Sequence, residues 1–115
     1  MKKQSEFIEF LRETFEEFGT IDARKMFGGY GIYHEGIMFA LVEKNILYLK
    51  ADETTKKLFQ SQGLTPFQYA RAGNVVKLSY YRAPEEVFDD RGKAAVWAQR
   101  AYEVALKQKD KKRGQ

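Results

Sequence analysis

The sequence predicts an α+β fold: an antiparallel sheet of about six strands, built as a four-strand meander plus a hairpin, packed with N-terminal, middle and C-terminal helices. Three observations predict it. Both ends of the chain repeat apolar residues at intervals of three and four, the mark of one buried helical face. The middle breaks into short β-type runs separated by brief turns rich in Gly and Asn, which read as antiparallel hairpins. The strand runs also come in groups rather than alternating singly with helices, which favours helices laid against an antiparallel sheet.

The elements follow in order. Ser5 can cap a first helix over roughly 5–18, with Ile8, Leu11, Phe15 and Phe18 on its buried face and Gly19 as its stop. Four strands follow: Lys25-Met26-Phe27 to the turn at Gly28-Gly29, Tyr30 to Tyr33 to the turn His34-Glu35-Gly36, Ile37 to Val42 to the turn near Lys44-Asn45, and Ile46 to Lys50. Asp52 can cap a second helix to about Gln62, with Leu58 and Phe59 inward and Gly63 ending it. Phe67 to Arg71 and Val75 to Arg82 form a hairpin about Ala72-Gly73-Asn74. In its second strand Val76, Leu78 and Tyr80 alternate with Lys77, Ser79 and Tyr81, so one face should be buried and the other wet. Pro84, Glu85 and Glu86 suit a helical first turn: a preset φ, and acids at the positive end of the dipole. Asp89 or Asp90 can cap the last helix, whose apolar stripe is Ala94, Trp97, Ala98, Ala101, Val104 and Ala105.

Composition narrows the function classes. A chain of 115 residues is one domain's worth and can bury a real core. It has no cysteine, which excludes disulfides, zinc–thiolate sites and thiol nucleophiles and favours a reducing, cytoplasmic setting. No signal-peptide pattern opens it, and its longest apolar run, Ile37 to Val42, is far too short to span a bilayer. The net charge of +4 is concentrated at one end. Residues 107–115 carry Lys107, Lys109, Lys111, Lys112 and Arg113 against Asp110, so residues 1–106 hold 15 bases and 15 acids. The domain is therefore expected over 1–106, followed by a basic tail over 107–115. That tail reads as a frayed, solvated helix end, or more sharply as a nonspecific tether for nucleic acid.

Catalytic chemistry is poorly supplied. His34 is the single histidine, so one chain offers no His–His metal pair, and it reads as an exposed turn residue. None of the three serines stands in a G-x-S-x-G elbow. The glycine-rich run Met26 to Gly31 fits neither a dinucleotide fingerprint nor a Walker loop, and no helix follows it to present amides to a phosphate. It reads as a tight hairpin in which a glycine lets backbones approach, or as a partner-contact loop. Adjacent acid pairs such as Glu16-Glu17 do not face each other on a helix. The expectation is a non-enzyme without catalytic residues, metal or cofactor, with a small-ligand sensor or an enzyme of unknown reaction as a further alternative. The promising polar surface combines Arg24, Lys25, Gly28, Gly29, Tyr30 and Tyr33 with Tyr81 and Arg82 of the run Tyr80-Tyr81-Arg82, since Tyr and Arg are enriched at protein hot spots and can also stack on single-stranded nucleic acid.

The run Ala23-Arg24-Lys25-Met26-Phe27-Gly28-Gly29-Tyr30-Gly31-Ile32-Tyr33 resembles the signature of the TfoX/Sxy N-terminal domain family. The resemblance continues through Gly36 to Ala40, Leu47 to Asp52, Pro66 to Tyr69, Leu78 to Pro84 and Trp97, covering roughly 20–106. It implies a positive regulator of natural competence genes that acts with a cyclic-AMP-responsive transcription activator. Longer members carry a second, C-terminal domain, and this chain, ending at Gln115, reads as a stand-alone single-domain member. The family supplies no catalytic residues to carry over. A more distant resemblance, at the level of fold, is to YjbR-like domains, sometimes described as DNA-binding. The partners expected are a protein, with a transcription activator as candidate, and nucleic acid either directly or through that protein. Monomer and homodimer are both compatible with the sequence.

Overall fold

The computed structural model describes residues 4–26 and 28–113. The order is α1 (Gln4–Thr14), β1 (Asp22–Met26), β2 (Gly29–His34), β3 (Ile37–Glu43), β4 (Ile46–Lys50), α2 (Lys56–Gln60), β5 (Pro66–Arg71), β6 (Asn74–Arg82), α3 (Glu86–Asp89) and α4 (Arg91–Arg113). The six strands form one antiparallel sheet in the order β1-β2-β3-β4-β6-β5. The α+β class, the meander and the hairpin are as the sequence predicts. The hairpin packs beside the meander because β6 pairs with β4.

Tight two-residue turns join the hairpins. Their residues, Glu35-Gly36, Lys44-Asn45 and Ala72-Gly73, all have positive φ, as turns matched to strand twist require. The helices cover one face of the sheet. Ile8, Leu11 and Phe15 of the N-terminal segment, Phe59 of α2, Val87 of α3 and the Ala94–Ala105 stripe of α4 pack there on Ile32, Val42, Leu47, Leu49 and Tyr81. A bulge in β3 adds to this core. Ile32 pairs with Ala40 and Tyr33 with Met38, leaving Phe39 between them. Phe39 and Ala40 are therefore both fully buried in the same cluster, and the Phe39 ring meets Phe15 at 5.9 Å and Phe18 at 5.2 Å.

Several boundaries differ from the sequence reading. The first helix stops at Thr14 rather than near 18, because Phe18 and Gly19 both bond back to the Phe15 carbonyl and tighten the chain into a turn. Ser5 lies inside α1 and is not its cap. Asp52 caps the turn leading to α2, accepting from the Thr54 and Thr55 amides, and the helix itself begins at Lys56. Leu58 points outward, 41% exposed, while Phe59 is buried as expected. Asp90 caps α4 through the Lys93 amide. Residues 107–113 continue α4 without a break. The expected strand position of Phe27, and the inward face expected for the Val76 side chain, lie outside the described residues.

Candidate interaction surface

A strand alternates its side chains between two faces, so each pairing places its two residues on one face. The pairs Arg24–Gly31, Gly31–Leu41, Leu41–Tyr48 and Tyr48–Arg82 thus make one row across five strands. Tyr33 with Met38, and Lys50 with Tyr80, stand on the same face. This is the face away from the helical core. Its own cluster is Leu41, Phe67 and Tyr80, with Met38, Tyr48, Tyr69 and Leu78 packed against them, and every member comes from a strand.

The face is buried by curvature rather than by helices. Met26 of β1 and Phe67 of β5 line one narrow cleft together with Leu41 and Leu78. In a flat sheet, five strand spacings would hold β1 and β5 roughly 24 Å apart. Sharing a cleft requires the sheet to curl towards this face.

Cations lie on the aromatics here. The Arg24 guanidinium sits 4.5 Å from the Tyr33 ring centre and the Lys50 ammonium 4.7 Å from that of Tyr80. Tyr48 meets Phe67 edge-on at 5.1 Å. Burial, with a smaller contribution from Tyr33, pushes the Tyr80 phenol up to about 12. Burial and Glu43 raise Tyr48, while Arg82 acts in the opposite direction. Among the described residues neither Arg24 nor Arg82 has an ion-pair partner.

The surface expected from the sequence divides between the two faces. Arg24, Tyr33 and Arg82 lie on the curled face, Arg24 against Tyr33 and Arg82 further across the sheet. Lys25 and Tyr30 pair with each other on the opposite side, Lys25 exposed and Tyr30 packed against the helical core. Gly28 is in the turn at φ +80°, and Gly29 is buried. Tyr81 is a correction: it is a core residue, stacked on Phe59 at 5.4 Å and accepting a hydrogen bond from the Gln60 amide at 3.3 Å. The run Tyr80-Tyr81-Arg82 cannot form one surface because its central residue faces the other way. Tyr80 also lies on the curled face, and Met38, Tyr48 and Lys50, absent from the expected surface, complete it. The alternation of Ile46, Tyr48 and Lys50 was the available signal.

His34 is a second correction. It ends β2 and is half-buried, its ring 4.6 Å from Phe18 and 5.0 Å from Tyr102, with Nδ1 donating to the Thr20 carbonyl at 2.7 Å and Nε2 3.3 Å from Glu35. It fastens the turn after α1 to α4. No group of three metal-ligating side chains occurs among the described residues, and no helix among them is long and apolar enough to cross a membrane. Of the basic tail, Lys107 and Lys109 are exposed on α4, and the side chains of Lys111, Lys112 and Arg113 lie outside the described residues.

Residues 13–105 match the TfoX N-terminal domain. The chain belongs to that family. It is 30% identical over 98 residues to Protein Sxy of Escherichia coli (strain K12), covering 85% of this chain and 47% of that protein. It is 28% identical over 82 residues to DNA transformation protein TfoX1 of Aliivibrio fischeri (strain ATCC 700601 / ES114), covering 68% of this chain and 39% of that protein. The chain thus spans less than half the length of these curated relatives. The glycines in this TfoX domain's signature have structural causes. A Cβ on Gly29 would stand 2.1 Å from the Val42 carbonyl oxygen, and one on Gly31 would stand 2.9 Å from the Met26 sulfur and 3.1 Å from that of Met38. The first glycine permits the approach of β2 to β3, and the second makes room for methionines that fill the curl.

Proposed function

We propose that this TfoX domain is a non-enzymatic regulatory module that binds a protein partner through its curled sheet face, in transcription control of competence-type genes. The observation that carries the reading is the presence of Arg24, Tyr33, Tyr48 and Arg82 on the face away from the helical core, two of them guanidinium groups without an ion pair among the described residues. Tyrosine and arginine are the side chains that contribute most at protein interfaces, because they combine rigid apolar area with directed hydrogen bonding. Family membership supports a regulatory role, and the Aliivibrio relative bears the name of a DNA transformation protein. The candidate partner is a cyclic-AMP-responsive transcription activator. Replacing Arg24 and Arg82 together by Ala should weaken binding to that activator at least ten-fold, read by isothermal titration calorimetry, with the melting temperature nearly unchanged. Unaltered binding would remove this face from the interaction.

Direct DNA binding is the second reading, favoured by Arg24, Lys50 and Arg82 on the same face. It predicts that affinity for duplex DNA, read by fluorescence anisotropy, falls linearly on a log–log salt plot, and that the slope shrinks when those cations are neutralised. A slope that responds only to Lys107 and Lys109 would reduce DNA binding to a nonspecific tether.

A further inference from the structure

A cleft of about 340 Å³ opens where the last turns of α4 pass the ends of β3, β4 and β6. That volume lies in the range of small-molecule sites. Lys50 and Tyr80 come from the sheet, Gln108 and Lys109 from the helix, and Ile37 and Met38 supply an apolar wall.

We propose that this cleft binds a phosphate monoester carrying an apolar or aromatic body. Three observations lead to it. First, the polar side chains that line it are two ammonium groups, a phenol and a primary amide, all able to donate hydrogen bonds. Second, the chain's net charge of +4 resides in residues 107–115, while residues 1–106 are neutral, and Lys109 from that basic segment lines the cleft. Third, the two recognition groups on the sheet are held in place. Lys50 lies 4.7 Å over the Tyr80 ring, and the Tyr80 side chain is 9% exposed. No described group hydrogen-bonds to the Tyr80 hydroxyl, and its burial keeps it protonated, a donor throughout the physiological range. A compact dianion suits this set, since lysines engage phosphate as point charges and Tyr and Gln supply directed bonds. Ile37 and Met38 give the ester's body an apolar surface. The site shares Met38, Lys50 and Tyr80 with the curled face but none of Arg24, Tyr33, Tyr48 or Arg82, so the Arg24→Ala/Arg82→Ala variant should leave it intact and separates it from partner binding.

The probes are phenyl phosphate, phenol as its uncharged counterpart, and a single-stranded oligonucleotide, each titrated into the full chain by calorimetry and two-dimensional NMR. Phenyl phosphate should bind and phenol should not, with the largest NMR shifts at Lys50, Tyr80, Gln108 and Lys109. Lys109→Met and Lys50→Met keep the alkyl stems, and Tyr80→Phe keeps the ring. Each should weaken phenyl phosphate at least five-fold while the melting temperature stays within a few degrees. If the oligonucleotide alone binds, and the same variants weaken it, the cleft holds a backbone phosphate and the free-ligand assignment is overturned. Binding of none of the probes, or binding indifferent to all three substitutions, overturns the site altogether.

Discussion

The two faces of the sheet are closed by different means. On one, four helices and the turn after α1 press Leu11, Phe15, Phe59, Val87 and Ala98 against Ile32, Phe39 and Leu49, all of them essentially without solvent exposure. On the other, the sheet buries Leu41, Phe67 and Tyr80 by curling, and leaves Met38, Tyr48, Tyr69 and Leu78 half-covered. Helix-on-sheet packing removes nearly all apolar surface from water, so that face contributes chiefly stability. Curling completes the burial only at its centre. It leaves a rim of tyrosine, arginine and lysine whose rings are ordered yet still reachable, the combination a binding surface needs.

The largest contrast should appear on truncating one aromatic from each face. Phe39→Ala, in the helix-covered core, should cost about 3–5 kcal/mol, and Tyr48→Ala, on the curled face, about 1 kcal/mol, both read from urea denaturation. Equal costs would dissolve the distinction between the faces.

Gly29→Ala probes the curl itself. Its Cβ would run into the Val42 carbonyl, a backbone atom that moves only if the strands part. The expected loss is about 1–3 kcal/mol, with NMR shift changes spreading along β2 and β3. A neutral result would mean that strand approach here does not depend on glycine.

Alkaline titration sharpens the comparison through Tyr80. Its folded phenol lies near 12, against about 10 for an ordinary one. The folded state therefore retains a proton that the unfolded chain gives up. The associated stability is fully present below pH 10 and declines as pH rises from 10 to 12. The loss should amount to about 3 kcal/mol, and Tyr80→Phe should abolish this part of the alkaline limb. A Tyr80→Phe protein with the wild-type profile would assign the limb to other groups.

The smallest effect belongs to the β5–β6 turn, where Ala72 is held at φ +51°. Asn tolerates that region better than Ala, so Ala72→Asn should raise stability by about 0.5 kcal/mol, seen as a higher urea midpoint. A lower midpoint would show that Ala72 makes a contact worth more than its strain.

Element types could be read from the sequence because periodicity reports them directly. The α4 stripe from Ala94 to Ala105 is buried residue for residue. The three two-residue turns sit where Gly and Asn announce them. What local pattern does not encode is how elements meet. Nothing in the run Lys25 to Gly31 tells that Gly29 lies against the Val42 carbonyl, because that contact depends on β2–β3 register and on the bulge at Phe39. The expected surface failed at Tyr81 for a simpler reason. Neighbours along a strand face opposite ways, so a composition cluster such as Tyr80-Tyr81-Arg82 is not a surface. Arg24, Tyr33 and Arg82 share one face because alternation and pairing agree for all three. His34 looked like a turn residue because Glu35-Gly36 follows it, yet its aromatic neighbours come from the turn after α1 and from α4, far away in sequence.

The central claim is that the curled face, rather than the helical side, engages the partner. Its most direct test is calorimetric titration of a cyclic-AMP-responsive transcription activator with three proteins: the unaltered chain, the Arg24→Ala/Arg82→Ala double variant, and Val96→Asp on the outer side of α4, where Val96 is 55% exposed. The account predicts binding by the unaltered chain and by Val96→Asp, and at least a ten-fold loss for the double variant. Loss confined to Val96→Asp, or no binding by any of the three, would contradict it.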